Sequence, residues 1–557
     1  MFPTDATSFS QLFEGSQIWI YLGISIVNAV ILFYCSMKFL LVLQQGGYYY
    51  RRYFKWLSNR DTPYKSRLML LCLLGLLFFC VLAMTFSGVV GNTIASYVGF
   101  VAYILFAVAY INTESAVNAK VPLKKTKRLV RLCITYILFL TVITFGLLTL
   151  CNYLAFIIGD EIVSILRYCI ICLVPFLLPY LLFIAYCLNE PFEWAVRTHY
   201  VNKARGILYN SEVLKIGITG SYGKTSVKEI LKTILSQKFR VLATPESYNT
   251  PLGIAMTVNK LDNTHDIFIA EMGARSKGDI EMLAKLVKPK YGVLTGVNSQ
   301  HLESFGTEEV IKNTKYELME NLSADGVAFF SCDNKISVEL SNRFQGEKYL
   351  AGLKDENAFV TVKDLVTDSH GTSFTLVVGD QTAECSTILL GRHSISNICL
   401  AVSVAVKLGM TIDEIVQGIN RIKSIEHRLE LLPNNKNIVI IDDSYNANVD
   451  GVNASMEVLD MFEGRKIVLT PGLIELGKME NLVNFEYGKL LSKHADKVIV
   501  IGKHNAVMLI NGLLEGGMDR ENIKFAKSLN RGNDLLNDMV KEGDVVMFSN
   551  DLPDNYN

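Results

Sequence analysis

The chain has 557 residues, half of them apolar, with 54 basic and 54 acidic side chains. This length predicts several domains, and the zero net charge gives no reason to expect a nucleic acid partner. The charges are unevenly spread: residues 1–190 hold 14 Lys and Arg against 7 Asp and Glu, whereas the remainder holds 40 against 47.

The first 190 residues contain four long stretches without a charged side chain, at 15–37, 68–113, 132–159 and 168–189. A helix needs about 20 apolar residues to cross the hydrocarbon core of a membrane. Residues 68–113 are long enough for two such helices, separated at the turn-rich segment 87–92. The sequence therefore predicts an all-α transmembrane domain of about five helices over residues 1–190.

The loops of this predicted domain differ in charge. Two of them are basic, and they carry Arg51, Arg52, Lys55, Arg60, Lys65 and Arg67 after the first span and Lys120, Lys124, Lys125, Lys127, Arg128 and Arg131 after the third. Basic loops remain in the cytoplasm. The N-terminus is therefore expected outside, and an odd number of spans leaves the rest of the chain cytoplasmic, as a multi-pass protein of the lipid bilayer.

After the last span the pattern changes to an α/β alternation. Residues 191–210 predict a helical connector, and residues 211–431 and 432–557 each predict a domain in which buried strands alternate with helices. The clearest strand runs are 213–219, 266–273, 291–297, 326–331, 437–441, 466–470, 497–501 and 545–548. Such alternation favours parallel sheets covered by helices, and residues 358–390 add several short strands.

A phosphate-binding loop is predicted between the strand at 213–219 and the helix that starts at Lys224. Its sequence is Gly220-Ser221-Tyr222-Gly223-Lys224-Thr225-Ser226. Glycines let backbone N–H groups approach phosphate oxygens, the helix N-terminus and a lysine attract the charge, and a hydroxyl can hold Mg²⁺. The spacing is shorter than that of the common phosphate loop.

Two further side chains follow predicted strands. Glu271 ends the run 267–270, and His301 follows the strand at 291–297. Oxygen ligands are what magnesium requires. Taken alone, each residue favours a structural interpretation, because a glutamate in such a place is usually a solvated strand end and a lone histidine is more often structural.

Seven motifs in order resemble the Mur ligase family, and their form is nearest to the MurF type. They are Gly220-x-x-Gly-Lys-Thr-Ser226, Glu271-Met-Gly-Ala274, Asn298-x-x-His-Leu-Glu-x-Phe-Gly306, Lys315-x-Glu317, Gly391-x-His-x-x-x-Asn397, His427-Arg-Leu-Glu430 and Asp443-Ser-Tyr-Asn-Ala-Asn448. The resemblance implies a phosphate-loop central domain with a parallel sheet over 211–431 and a Rossmann-like C-terminal domain over 432–557.

The resemblance also implies a role for each matching residue. The ATP contacts would be Gly220, Ser221, Gly223, Lys224, Thr225, Ser226, His393, Asn397, Arg428 and Asp443. Two Mg²⁺ sites would involve Thr225, Glu271 and His301, with Lys315 carbamylated to support them. Lys224, His301 and Lys315 would act in catalysis, and Thr244, Ser247 and Asn249 would bind the acceptor.

The chemistry implied is the formation of an amide bond with ATP through an acyl phosphate. An ADP-forming ligase of this kind would join an amino acid or dipeptide to a carboxylate of a bacterial cell-envelope precursor. MurF proteins begin with a soluble domain for a UDP-sugar peptide, and the predicted spans stand in its place. The acceptor is therefore expected to be lipid-linked or supplied by a membrane partner protein.

Other departures from the MurF pattern leave the two substrates open. Ser394 replaces an asparagine, and residues 471–477 and the C-terminus differ from the MurF forms. A polyamino-acid ligase or another Mur relative remains an alternative. A nucleotide-gated transporter or sensor is a further one, although the spans contain almost no charge that could mark an ion pathway.

Overall fold

The computed structural model describes residues 17–58, 74, 89–113, 123–158, 160–298, 305–434, 437–445, 449–474, 476 and 479–549. The chain divides into two compact units, which meet in sequence at Val196 and Arg197. The first unit is helical, and the second contains two separate sheets.

The described residues form six helices that lie in the first unit or begin there. They are α1 (Gln17–Cys35), α2 (Met37–Gln45), α3 (Tyr50–Ser58), α4 (Val89–Thr113), α5 (Lys127–Ile158) and α6 (Asp160–Asn210). Three of them are long and apolar enough to cross a membrane, at Ile18–Cys35, Lys127–Cys151 and Val174–Asn210. The helical, apolar character of this region is thus confirmed. The predicted second span lies largely outside the described residues, so the count of five stays a prediction.

The surface and interior of this helical unit have the polarity expected of a membrane domain. Apolar side chains project outward, with Trp19 73%, Leu105 65% and Val142 68% exposed. Inside, Asn28 donates to the Thr144 hydroxyl at 3.3 Å and accepts from Tyr103 at 3.1 Å. A polar side chain buried among apolar helices needs such a partner, so these bonds help to fix how the helices pack.

Helix α6 joins two segments that were predicted separately. It covers the predicted fifth span and the predicted connector at 191–210 in one run of 51 residues, with three prolines inside it. Near its middle, Glu190 and Glu193 pair with Arg128 and Arg131 of α5. Its last turns belong to the second unit, where Ala204 and Leu208 are fully buried.

The first sheet of the second unit has nine strands. In chain order they are β1 (Leu214–Thr219), β2 (Val241–Ala243), β3 (Ile267–Glu271), β4 (Tyr291–Leu294), β5 (Val327–Ser331), β6 (Glu347–Ala351), β7 (Val360–Asp368), β8 (Gly371–Val378) and β9 (Gln381–Thr387). Their spatial order is β2-β3-β1-β4-β5-β6-β7-β8-β9. Neighbours from β2 to β7 are parallel and the last three strands are antiparallel.

Helices cover both faces of this sheet. They are α7 (Lys224–Leu235), α8 (Pro251–Val258), α9 (Asp279–Val287), α10 (Glu308–Glu320), α11 (Lys335–Arg343), α12 (Arg392–Lys407) and α13 (Ile412–Asn420). Strands β1, β3 and β4 are apolar on both faces because α7 and α12 pack on one side and α9 and α10 on the other. The functional loops therefore meet at the carboxyl ends of buried strands.

The second sheet has six strands. They are β10 (Glu430–Leu432), β11 (Val439–Asp443), β12 (Lys466–Thr470), β13 (Lys497–Ile501), β14 (Ile523–Ala526) and β15 (Val545–Ser549), in the spatial order β10-β11-β15-β12-β13-β14. Strand β10 is antiparallel to β11 and the others are parallel. Because β10 belongs to this sheet, the sheet begins just before the domain boundary expected at residues 431 and 432.

Four α-helices pack on the second sheet, namely α14 (Val449–Asp460), α15 (Glu480–His494), α16 (Ala506–Glu515) and α17 (Leu529–Met539). Helices α15 and α16 pack closely because Gly488 and Gly512 face each other, and a Cβ at Gly512 would lie 2.0 Å from the Phe485 carbonyl oxygen. The two α/β folds expected from the sequence are thus both present.

Candidate active site

The phosphate-binding loop lies between β1 and α7. Gly220 has φ +152° and Gly223, the residue before α7, has φ +78°. A Cβ at Gly220 would lie 2.0 Å from Thr295 Oγ1, and one at Gly223 would lie 2.9 Å from Asn397 Oδ1. Both positions therefore require glycine, and the loop backbone is left open at the N-terminus of α7, where an anion binds favourably.

Replacement of Gly220 by alanine is expected to disturb this loop. The new Cβ would have to displace Thr295, and alanine does not favour the φ angle. We expect a loss of about 1–3 kcal/mol in stability together with weaker nucleotide binding. Thermal unfolding and nucleotide titration of the full-length protein measure both, and an unchanged variant would show that the loop tolerates a side chain.

Lys224 is the first residue of α7, and its amino group lies over the loop. Its Nζ donates to the carbonyl oxygens of Gly220 at 2.8 Å and Ser221 at 3.0 Å. Burial lowers the pKa of Lys224 to about 8; the Glu271 carboxylate opposes this shift and Arg428 adds to it. The amine is thus held where phosphates would lie against the loop, by carbonyl bonds that an anion can replace.

Thr225 and Glu271 provide a pair of oxygen ligands beside the loop. The Thr225 hydroxyl donates to Glu271 Oε2 at 3.0 Å, and Glu271 is only 1% exposed at the end of β3. A hydroxyl and a carboxylate at this distance fit Mg²⁺, which prefers oxygen donors and keeps other positions for phosphates and water. In the described part of the chain no group of three His, Cys, Asp or Glu residues is placed to hold a metal ion, and His301 lies outside the described residues.

The loop after β2 contacts the same carboxylate. Asn249 Nδ2 donates to Glu271 Oε1 at 3.1 Å, and the buried Thr244 accepts from the Glu271 backbone N–H at 3.1 Å. Ser247 lies between them and is exposed. The three residues predicted to bind the acceptor therefore lie on one loop next to the Glu271 carboxylate.

Lys315 is an internal residue of α10 and is only 2% exposed. Its nearest described aromatic contact is Phe305, whose ring centroid lies 5.8 Å from Nζ. Burial, together with the nearby charge of Lys224, lowers the pKa of Lys315 to about 7. A neutral amine at pH 7 can react with CO₂, which an ammonium cannot, so the environment suits the carbamylation that the motif implies.

A cavity of about 260 Å³ opens from the phosphate loop toward the second sheet. Its lining includes Gly223 and Ser226 of the loop, His393 and Asn397 of α12, and Arg428, Asp443 and Tyr445 from the following segment. The cavity thus joins the phosphate loop to residues at the edge of the C-terminal sheet. A nucleotide with its phosphates on the loop would place its other end among them.

Arg428 and Asp443 lie on the C-terminal side of this cavity. The guanidinium carbon of Arg428 lies 4.5 Å from the centroid of the Tyr445 ring. Burial raises the pKa of Asp443 to about 6, although the Ser455 hydroxyl donates to its carboxylate at 2.5 Å and Arg428 also lowers the pKa. His427 and Leu429, which flank Arg428, have φ +61° and +48°. The backbone on both sides of Arg428 thus adopts a left-handed conformation that residues other than glycine disfavour.

Comparison with known proteins identifies the family. Residues 218–405 match the Mur ligase middle domain, and residues 427–550 match the Mur ligase glutamate ligase domain. The UDP-N-acetylmuramoyl-tripeptide--D-alanyl-D-alanine ligase of Escherichia coli strain K12 is 30% identical over 308 residues, which are 55% of this chain and 68% of that protein. The chain belongs to the Mur ligase family. It is an ATP-dependent acid–amino-acid ligase of MurF-like type.

Further relatives and solved structures agree with this assignment. The protein of the same name from Bacillus subtilis strain 168 is 28% identical over 340 residues, 60% of this chain and 72% of that protein. MurF ligase from Thermotoga maritima in complex with ADP has a TM-score of 0.57 at 27% identity and covers 64% of this chain and 80% of its own. MurF from Acinetobacter baumannii, with a TM-score of 0.58 at 23% identity, shows the same fold over 64% and 77%.

Most of the predicted site residues lie close together in the structure of this Mur ligase. The loop residues, Thr225 and Glu271 lie in contact, Asn249 and Thr244 join them, and Asn397, His393, Arg428 and Asp443 line one cavity. Lys315 is buried nearby, close enough for the charge of Lys224 to lower its pKa. The roles assigned to these residues remain predictions.

Sequence reasoning assigned no role to two residues that shape the site. Tyr222 packs against Gly296 and accepts from Asn334 at 3.2 Å, and Glu317 accepts from the backbone N–H groups of Gly278 at 2.8 Å and Glu281 at 3.0 Å. The bonds that Glu317 accepts explain its place in the Lys315-x-Glu317 motif. Glu317 caps the start of α9 and so holds α10 in position. The signal that could have indicated this role is the occurrence of an acidic residue, Glu317, at an internal and buried position of a helix.

The buried amine of Lys315 should make the folded protein less stable than an apolar side chain would. An unfolded lysine binds a proton below about pH 10.4, whereas Lys315 in the folded ligase binds one only below about pH 7. Folding is therefore penalised increasingly as pH falls from about 10 to 7, by on the order of 4 kcal/mol at pH 7.

Lys315→Met is expected to raise the thermal unfolding midpoint at pH 7, with a gain that shrinks as pH rises toward 10. Differential scanning calorimetry of the full chain in CO₂-depleted buffer measures this difference. A variant less stable than the wild type across this pH range would mean that the amine has a stabilising partner.

Proposed function

We propose that this Mur ligase joins a small amino acid or dipeptide to a carboxylate of a lipid-linked cell-envelope precursor at the cytoplasmic face of a bacterial membrane. The observation that carries the proposal is the order of the domains. Three helices of membrane-spanning length lie wholly or partly in the first unit, and neither family match begins before residue 218. An acceptor held in the bilayer by its own lipid would need no soluble domain to bind its carrier.

The basic loops support the cytoplasmic orientation. The short helix α3 presents Arg51 and Lys55 on its exposed side, and Arg128 and Arg131 lie at the start of α5. Positive charges next to spans remain on the cytoplasmic side, where ATP is available. The catalytic domains would then lie on the cytoplasmic side of the bilayer.

Lys224 and the phosphate loop would perform the first half of the reaction. The acceptor carboxylate attacks the γ-phosphorus of ATP, the bond to the bridging oxygen breaks, and ADP leaves, which yields an acyl phosphate. The backbone N–H groups of the loop and the Lys224 ammonium lie where they can stabilise the charge of the transferring group.

The ligands for Mg²⁺ would be Thr225 and Glu271 at one site and His301 at a second. Metal bound there supplies neutralisation of phosphate charge. Lys315, when carbamylated, would present a carboxylate in place of a cation and so support both sites. Its burial and lowered pKa favour that modification.

The second half of the reaction is attack of the amine on the acyl phosphate, which releases inorganic phosphate and forms the amide. Water must be excluded from this intermediate. Asp443, proposed to bind the ribose, and Arg428, proposed to reach the phosphates, lie opposite the loop across the cavity. Their contact with the nucleotide would hold the C-terminal domain over the site.

The lipid-linked acceptor can be tested against a soluble one. The full-length ligase in lipid nanodiscs is given ATP, an amine mixture and either a lipid-linked or a UDP-linked muramoyl peptide, and phosphate release is followed. We expect a preference of at least about tenfold in kcat/KM for the lipid-linked form, equivalent to about 1.4 kcal/mol. Equal or better turnover of the UDP-linked form, which the names of the relatives favour, would refute the proposal.

A further inference from the structure

Lys228 lies one turn after Lys224 on α7 and is completely buried, with 0% of its side chain exposed. A fully buried lysine is rare and needs an anionic partner, because its ammonium loses the stabilisation of water. None of the motifs assigned a role to it. The contacts of its amino group therefore indicate the role of this charge in the site.

The Lys228 amino group connects two parts of the active site. Its Nζ lies 3.5 Å from Glu271 Oε2 and donates to the carbonyl oxygen of Glu246, in the loop proposed to bind the acceptor. The Glu229 carboxylate is also 3.3 Å from Nζ, but this side chain is 36% exposed, whereas Glu271 is 1% exposed. The carbonyl of Glu246 is presented by a residue with φ +45°, a backbone conformation that persists only when its surroundings hold it.

The Glu271 carboxylate is thereby held from two sides. Asn249 donates to Oε1 at 3.1 Å, while Lys228 lies near Oε2. The remaining contact, from the Thr225 hydroxyl to Oε2 at 3.0 Å, is on the side of the phosphate loop. A cation between Thr225 and Glu271 would replace that contact, since the hydroxyl must turn its lone pair to the metal. The contacts of Asn249 and Lys228 can remain.

We propose that Lys228 is a positioning residue that holds Glu271 for Mg²⁺ and ties the metal site to the loop at residues 244–249. This inference rests on the proposed Mg²⁺ site at Thr225 and Glu271. Lys228 acts through Glu271 and touches neither the nucleotide nor the acceptor. Asn249, from the loop at residues 244–249, also holds Glu271 in position. Order in this loop and alignment of Glu271 for Mg²⁺ are therefore coupled.

The test measures binding, which does not require the acceptor to be known. Affinity of the full-length protein for a non-hydrolysable ATP analogue is determined with Mg²⁺ and with EDTA, and the ratio gives the gain due to the metal. Lys228→Met should reduce that gain by about tenfold or more, as loss of a contact behind a metal ligand usually does. The affinity in EDTA should stay within about twofold.

Three further variants make the result specific. Asn249→Ala should reduce the metal-dependent gain in the same direction, and Lys228→Met should have no further effect in a Glu271→Gln background. Lys232→Met, one turn along the same helix with a 47% exposed side chain, should match the wild type.

The outcomes separate positioning from general stability. An unchanged metal-dependent gain in Lys228→Met, or equal losses with Mg²⁺ and with EDTA, would overturn the proposal. If Lys228→Met shows no cooperative unfolding, the Asn249→Ala variant provides the test instead. A metal-dependent gain in Asn249→Ala equal to that of the wild type would also overturn the proposal. A ligase whose acceptor differs from the one proposed would still give these binding results, so the two proposals fail separately.

Discussion

Lys224→Ala is expected to abolish ATP turnover, with kcat lower by about 10³-fold. Removal of one preorganised group that stabilises a developing charge commonly costs 10²–10³-fold, about 3–4 kcal/mol, and the amino group of Lys224 lies over the phosphate loop itself. Phosphate release by the purified full-length protein measures the effect.

Folding should survive this change. The amino group of Lys224 bonds only to the Gly220 and Ser221 carbonyls in the described contacts, and its burial as a cation is itself unfavourable. Lys232→Ala, on the exposed side of the same helix, is the matched control and should retain full activity. Turnover by Lys224→Ala above about a tenth of the wild-type rate would remove the lysine from the proposed mechanism.

Lys315→Ala is expected to lose activity by a similar factor and to recover part of it when a small carboxylic acid such as acetate is added. The proposed carbamate is an anion, and its loss together with the lysine side chain leaves space for a short carboxylate in a buried position. Steady-state rates at increasing acetate concentration show the rescue as a saturable rise in kcat.

The rescue has two controls. Chloride at the same ionic strength should not restore activity, and the wild-type enzyme should gain nothing from acetate. In wild type, removal of CO₂ should lower the rate and bicarbonate should restore it, most readily above pH 7, where the lowered pKa of Lys315 leaves the amine neutral. A Lys315→Ala enzyme with a wild-type rate in chloride would exclude a carbamate from the mechanism.

The fold of the ligase domains could be predicted well wherever a strand is a continuous apolar run. Strands β12 and β13 begin and end at the residues expected from the sequence, Lys466–Thr470 and Lys497–Ile501. Strand β6, with the sequence Glu347-Lys-Tyr-Leu-Ala351, was not predicted, because its half-exposed residues lack such a run. Its position is set by parallel pairing with β5.

The site was predictable where a motif carries chemistry in a short segment. The segment from Gly220 to Ser226 lies between a strand and a helix, which indicates a phosphate loop, whereas Glu271 was assigned a role only through the ordered motifs that resemble the Mur ligases. Lys228 was not predictable, because in sequence it is an ordinary helical lysine, and only the approach of β3 and the loop at Glu246 buries it. Contacts between elements distant in sequence carry that information.

If this Mur ligase forms an acyl phosphate, hydroxylamine should trap that intermediate as a hydroxamate. The full-length protein in nanodiscs is incubated with ATP, Mg²⁺, hydroxylamine and a bacterial envelope extract containing lipid-linked and UDP-linked muramoyl peptides, without any amine substrate. We expect a muramoyl peptide hydroxamate in a one-to-one ratio with the ADP formed, and none with Lys224→Ala. Release of ADP and phosphate with no hydroxamate would contradict it.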